Sequence, residues 1–419
     1  MNTAQPSGRL ALNLRWIILG LVFLALFAGF QGGRYYLANR LQELGIASAL
    51  ALFMLGTWRG LFLLPVSEWR RWVLGPMLLV GGIMLVSASV FSLQYDGRFL
   101  YSFFSAREFL LAFLGPGLYL LCRTGLPVDD VRKVVWFTVF ALMVNYLWFY
   151  MTMDLSAAFF STDHTVSNLV TYDQWRGFRL KPPLFAIMVG LLGALMMVLQ
   201  ARGFRYFVFA LVVLALAGYI WSIVQFRATL ATILLALLVY PIFLRRVSRL
   251  KMLLVLSPLM IISLPVAADH ALQTFLLAEG GGIRARAFMA AFNYLESHWL
   301  FGAGEDSAYG DSYQDIVAPY FFPSDIGLVG TAFKYGIIGL ILYLWMHGKI
   351  GFALWRANIS FRDRMGFHDP LLWALLLFMT AQTFNLVLNP GLAYAQGITL
   401  GTLALALARL ELTRNTHAN

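Results

Sequence analysis

A chain of 419 residues that is 60% apolar, only 12% charged and has a mean hydropathy of +0.74 is not a soluble domain. Its formal charge of +11 sits mostly between apolar runs, so it reports membrane topology and gives no reason to invoke a nucleic-acid partner. Cys122 stands alone, which excludes an internal disulfide.

Apolar runs of membrane-spanning length recur along the chain and predict an all-α polytopic membrane protein, a single integral membrane domain over 1–419 with about 12 transmembrane helices. The predicted spans are 15–32, 45–64, 72–92, 105–122, 134–153, 184–201, 204–224, 228–244, 252–268, 326–347, 370–387 and 391–410. The short polar start MNTAQPSGRLALNLR precedes a first span with no small-residue cleavage signature, so that span reads as a retained anchor. The fourth span is interrupted by FLGPGLYLL. With both termini cytoplasmic, 19 of the 31 Lys and Arg fall on inner segments, RRVSRLK and RANISFRDR most densely.

Most connections are short, but two on the outer face are long, 154–183 and 269–325. The second is rich in aromatic residues and should be folded. Within it, IRARAFMAAFNYLESH places apolar residues at 288, 291, 292 and 295, the spacing of an amphipathic helix lying along a membrane surface. The Gly-rich turn FGAGED follows it.

The basic residues that do not fit the inner bias carry the functional signal. Arg227 opens the eighth span in SIVQFRATLATILL, Arg284 and Arg286 open the loop helix, and Arg176, Arg179 and Lys181 sit in WRGFRLKPP before the sixth span. Arginine holds phosphate oxygens through paired N–H donors and keeps its proton, so such a ring suits a lipid-linked diphosphate at the outer interface. The plainer alternative is a set of arginines snorkelling to lipid phosphate. Asp325, in PSDIG at the head of the tenth span, reads equally as a helix cap and as a general base beside the arginines. Lys334 lies nine residues further on, about 900° around a helix, so it cannot share a face with Asp325. It reads as an interhelical partner or a cavity-lining charge. His164, His270 and His298 are also outer, and His298 in ESHWLFGAG reads as packed or interfacial. No HExxH, CxxC or DxD occurs, and the acids of GEDSAYGDSYQD read as solvated turns.

The order of these segments resembles the bacterial O-antigen ligase and O-antigen polymerase superfamily of membrane glycosyltransferases. Arg284 matches that family's loop Arg, Gly302 and Gly304 match the glycines of its His-Pro-x-x-Gly-x-Gly-like turn with Trp299 in place of the Pro, and Arg227 in QFRAT matches the Arg of its Ser-Arg-Gly. RGFRLKPPLFA looks like its earlier Arg/Gly-to-Pro segment, through either Arg176 or Arg179. The motifs run from about 176 to 345.

The resemblance implies metal-independent, cofactor-free glycosyl transfer at the periplasmic face of a bacterial inner (cytoplasmic) membrane, from a glycan carried on undecaprenyl diphosphate. It implies Asp325, Arg284 and Arg227 as catalytic residues, Asp325 activating the acceptor hydroxyl and the arginines stabilising charge on the leaving diphosphate. Arg176, Arg179 and Arg286 would bind that diphosphate. Membrane lipid and chain-length regulators or export proteins are the implied partners. Ligases of the family usually carry His, often followed by Asn, where Asp325 stands, which favours a polymerase that joins one lipid-linked repeat to another. An O-antigen ligase acting on lipid A core is the alternative. A lipid-linked glycan flippase or exporter belongs to another class and should distribute charges along several spans.

Overall fold

A backbone that crosses hydrocarbon can satisfy its N–H and C=O groups only within itself, and these apolar runs do so as helices. The structure, a computed structural model, describes residues 12–36, 40–96, 98–173, 177–200, 203–224, 227–243, 281–306, 312–317, 321–386 and 391–416. The helices are α1 (Leu12–Gly29), α2 (Arg40–Leu63), α3 (Val66–Tyr95), α4 (Phe99–Ser105), α5 (Leu114–Arg123), α6 (Val128–Thr152), α7 (Leu155–Phe159), α8 (His164–Ser167), α9 (Leu184–Leu199), α10 (Phe204–Val224), α11 (Arg227–Phe243), α12 (Gly281–His298), α13 (Tyr313–Ile316), α14 (Gly327–Met365), α15 (Pro370–Asn385) and α16 (Ala395–Thr416). Among the described residues, seven stretches are long and apolar enough to cross a membrane: 12–29, 41–63, 66–95, 99–123, 128–152, 204–224 and 323–365. Three shorter apolar helices lie over 184–199, 229–239 and 370–385. The predicted ninth span, 252–268, lies outside the described residues. Among the described residues, the other predicted spans fall mainly on helix.

Burial separates central from peripheral helices. Every residue from Leu371 to Met379 of α15 is buried, and so is Phe185–Gly190 of α9; these two helices pack on each other in the middle of the bundle. The outer helices keep large apolar side chains exposed, Trp58 and Phe62 of α2, Leu78 and Leu93 of α3, Trp148 of α6 and Phe204 of α10. In water such a surface would drive association; against lipid it costs nothing. At one end of the bundle Arg132 bridges Asp369 at 3.3 Å and Glu411 at 3.4 Å, and Arg364 also meets Glu411, which is 1% exposed. That network ties together α6, α14, α15 and α16.

Four elements differ from the sequence reading. The predicted fourth span is not broken: α4, a 3-10 segment over Ala106–Phe113 and α5 run on from one another, and Pro116 sits in the first turn of α5, where no N–H is needed. The predicted loop 154–183 departs from the all-α reading, because β1 (Val170–Asp173) pairs antiparallel with β2 (Gly177–Leu180) in the register Val170 with Leu180. The loop helix exists as α12, and of the predicted face Ala291 and Phe288 do pack, joined by Ala287 and Tyr294, whereas Phe292 does not. Phe292 and Met289 face outward, 52% and 63% exposed. The cause is the partner: α12 lies on α14, where small alanines allow close approach and Tyr294 reaches Phe333. Finally, the predicted tenth span extends to Met365 and is interrupted at Gly336.

Candidate functional site

Gly336 has φ 65° and ψ −171°, so the helical ladder of α14 stops there and restarts. The groups released by the break are taken up by the loop that follows α12. Ala303 N–H donates to Phe333 O at 2.7 Å, Gly304 N–H to Lys334 O at 2.8 Å, and Ile337 N–H to Trp299 O at 2.8 Å. The approach is close enough that a Cβ at Gly302 would lie 2.4 Å from Phe333 O, and one at Gly336 would lie 2.1 Å from Leu300 O. The Gly-rich turn therefore completes a broken helix, which is how irregular backbone is tolerated at membrane depth.

The same docking gives Lys334 its partner. Its ammonium pairs with Glu305, whose side chain is 14% exposed, and Tyr335 donates to the other Glu305 oxygen at 2.6 Å. Glu305 is thus not a solvated turn residue as its run suggests. It is the counter-charge that makes Lys334 tolerable inside a span. Asp306 accepts the Tyr313 N–H at 3.3 Å, and Tyr313 in turn donates to Gly304 O. Burial and, secondarily, the Glu305 charge raise the proton affinity of Asp306 above the ordinary carboxylate range, while Lys334 and the Tyr313 N–H oppose them. Burial, reinforced by Glu305 and Asp306, likewise pushes the Tyr313 hydroxyl well up.

A second polar group of residues forms where α1, α9 and α16 end or begin. Tyr35 donates to Lys181 O at 2.5 Å, which fixes the segment after β2 against the 3-10 turn Gly32–Tyr35. Arg34 bonds Gln31, which accepts from Gln396 at 2.9 Å. Gln396 accepts the Phe185 N–H at 3.2 Å, and Glu108 accepts the Ala395 N–H at 3.3 Å, so the first turns of α9 and α16 both open here. The Lys181 ammonium feels burial first, then Arg34, and both hold its proton affinity below the usual lysine range; Asp325 opposes them. Among the described residues neither Arg34 nor Lys181 closes an ion pair. Arg34 lies within electrostatic reach of Glu108 and Lys181 within reach of Asp325, so each cation faces a carboxylate beside the first turns of α9 and α16.

The two groups are joined. Tyr394 contacts Ser324 and lies within electrostatic reach of both Glu305 and Asp325. A groove of about 380 Å³ opens beside them between α3, α14 and α16. Its walls include Phe109, Phe301, Tyr335, Ile338, Leu342 and Ile398, with Ser87 and Thr331 as hydroxyls. The Ser87 Oγ is buried and has no hydrogen-bond partner among the described residues.

The predicted residues divide accordingly. Asp325 sits exposed in the 3-10 turn Pro323–Ile326 and, among the described residues, accepts a long bond from Ser324 Oγ, 3.4 Å. It caps nothing: Ile326 is the N-cap of α14, with no side-chain cap bond. Arg179, on β2, donates to Val224 O at 3.3 Å, satisfying a carbonyl at the end of α10. Arg286 is exposed on α12. Arg227 is the first residue of α11 and Arg284 lies in the first turn of α12, but their side chains, and all of Arg176, lie outside the described residues. His298 stacks on Tyr294, ring centroids 4.5 Å apart, and is packed as expected; His270 lies outside the described residues. Sequence reasoning missed Arg34, Glu108, Glu305, Asp306 and Tyr394. Glu305 had a legible signal, since a lysine buried in a span requires a carboxylate nearby. Arg34 had another, as a basic residue outside the segments expected to be cytoplasmic.

No family model matches the chain, and no curated protein matches it in sequence.

Proposed function

We propose that the chain is a periplasmic-face polysaccharide polymerase, joining glycan repeat units delivered on undecaprenyl diphosphate. The observation that carries this reading is the adjacency of three features in a membrane-embedded bundle: the cations Arg34 and Lys181 beside two helix N-termini, the half-buried carboxylates Glu305 and Asp306, and an apolar groove. A lipid-linked diphosphate sugar needs all three. Its chain seeks apolar surface, its diphosphate seeks fixed positive charge, and its acceptor must lose a proton. Arg34 and Lys181 join Arg179, Arg227, Arg284 and Arg286 as candidates to stabilise the leaving diphosphate, which is electrostatic catalysis by charge already in place. Asp325 lies within electrostatic reach of Lys181.

The break in α14 with its buried ion pair is also a feature that membrane transporters use, and it favours the flippase as the second reading. A crossing path would continue the charges along the helix, but after Lys334 no Asp, Glu, Lys or Arg follows until Lys349. Alanine replacement of Arg227 and of Arg284 separates the readings in cells that depend on this chain for their glycan. The polymerase reading expects loss of polymer with the variants still inserted in the membrane and lipid-linked repeat accumulating on the periplasmic side. Normal polymer from both variants would overturn it. Accumulation on the cytoplasmic side would point to transport.

A further inference from the structure

We propose that the chain holds one anionic phospholipid of the inner leaflet, its phosphate among Arg71, Lys349 and Arg409 and an acyl chain in the adjoining part of the groove. Each of the three helices that wall the groove, α3, α14 and α16, carries one of these cations. Arg71 stands seven residues before Leu78 on α3, Lys349 seven after Leu342 on α14, and Arg409 seven after Thr402 on α16. Leu78, Leu342 and Thr402 all line the groove. Seven residues turn a helix through about 700°, so each cation lies within about 20° of a lining residue's face and about 10 Å further along. The three meet at one end, where Lys349 is within electrostatic reach of both Arg71 and Arg409. The distribution of basic residues assigns that end to the cytoplasm.

No carboxylate answers these cations among the described residues. Each of the three helices carries one acid, and each acid is committed to another base: Glu68 to Arg123, Asp363 to Arg362, and Glu411 to Arg132 and Arg364. An anion seated between the cations would relieve their repulsion. The cluster is also open to the membrane surface. Arg71 is exposed, and Lys349 and Arg409 are half-buried. The Lys349 ammonium lies 4.3 Å from the centre of the Trp345 ring, which is itself 54% exposed, as an interfacial anchor would be. A Cβ at Gly348 or Gly75 would meet open space. Beyond the break in α14, its lining runs from Ile338 to Ile350, about 18 Å of helix against a hydrocarbon core of about 30 Å, so the slot has the depth of one leaflet. Gly82, in the α3 wall, would carry a Cβ with nothing within 4 Å, which leaves width for a chain. A zwitterionic headgroup brings its own ammonium to the cations, and a free phosphate makes no use of the slot; an anionic phospholipid suits both. The cluster lies 22 residues down α14 from its head and needs no assumption about the reaction there. It leaves the part of the groove beside Phe301 and Thr331 to the prenyl chain of the donor.

The test uses the full chain purified in neutral detergent. Native mass spectrometry counts bound lipid, and titration gives Kd for phosphatidylglycerol and for phosphatidylcholine with the same acyl chains. One phosphatidylglycerol should bind at least about tenfold more tightly than phosphatidylcholine, and inorganic phosphate should not displace it. Arg71→Gln, Lys349→Gln and Arg409→Gln should each weaken phosphatidylglycerol about fivefold and together about 100-fold, with phosphatidylcholine little changed. Arg70→Gln, about 100° around α3 from Arg71, should stay within about twofold. Gly82→Leu has room to fold and should fill the slot, weakening both lipids about tenfold without lowering the melting temperature of the lipid-free protein. The single changes carry the test should the triple variant fail to fold. Equal affinity for the two lipids, displacement by inorganic phosphate, or phosphatidylglycerol binding that survives the Gln changes overturns the phosphate assignment. Binding unchanged by Gly82→Leu overturns the groove. A prenyl phosphate that displaces phosphatidylglycerol and ignores the Gln changes gives the slot to the donor and overturns the proposal.

Discussion

Removing one partner of the Glu305–Lys334 pair tests how the chain tolerates a charge inside α14. Both side chains are largely buried, 14% and 15% exposed, so solvent screens the pair little. Two unit charges about 3 Å apart at an effective dielectric near 20 attract by about 5 kcal/mol, and desolvation consumes most of that gain. The single changes Glu305→Gln and Lys334→Met should therefore each cost about 3–5 kcal/mol, because each strands the remaining charge. Tyr335 loses its carboxylate acceptor in the first case as well, which places Glu305→Gln at the upper end. The double change strands nothing and should be milder than the sum of the singles by at least about 2 kcal/mol. Unfolding in mixed micelles, run as a double-mutant cycle, measures the difference. Additivity to within about 0.5 kcal/mol would refute the pairing and with it the account of why Lys334 is there.

Three more outcomes are expected. Gly336→Ala should destabilise by about 2–4 kcal/mol in the same assay, since φ of 65° and a carbonyl 2.1 Å from the new Cβ both oppose it; a change under 0.5 kcal/mol would mean that the loop does not dock in the break. Asp325→Asn and Asp325→Ala should leave the melting temperature unchanged, because Asp325 caps no helix here, whereas a true cap would lose about 1 kcal/mol on conversion to Ala. Lys181 has a folded proton affinity below its unfolded one, so the unfolded chain binds more protons and stability should rise as pH climbs through the folded value below the ordinary lysine range. Lys181→Gln should abolish that rise and slightly stabilise the protein at neutral pH; an unchanged alkaline limb of the melting curve would contradict the placement beside Arg34.

The helices were legible because membrane length and apolarity leave a backbone little choice, and that signal is local. The loop helix was legible in existence and partly in facing: Phe288 and Ala291 of the predicted face pack, while close approach to α14 brought in Ala287 and left Phe292 outside. The break at Gly336 was hidden by GTAFKYGIIG, which has the composition of an ordinary glycine-containing span. Only the loop seated against it, whose glycines 302 and 304 were noticed for their resemblance to a family motif, gives the break its cause. Glu305 was misread for the same reason, since its local run of Asp, Ser and Gly looks solvated and its partner lies 29 residues away. Arg34, Lys181 and Asp325 come together from three distant segments, a convergence that no spacing along one chain displays.

Polymer synthesis from lipid-linked repeats is tested most directly on purified protein. It would be supplied with a prenyl-diphosphate-linked repeat unit and no lipid A core, and the products sized on a gel. A ladder of longer glycans, with free prenyl diphosphate released in proportion to the bonds formed, is the predicted result. No ladder, with transfer starting only when lipid A core is added, would contradict the polymerase in favour of the ligase; no product under either condition would contradict glycosyl transfer altogether.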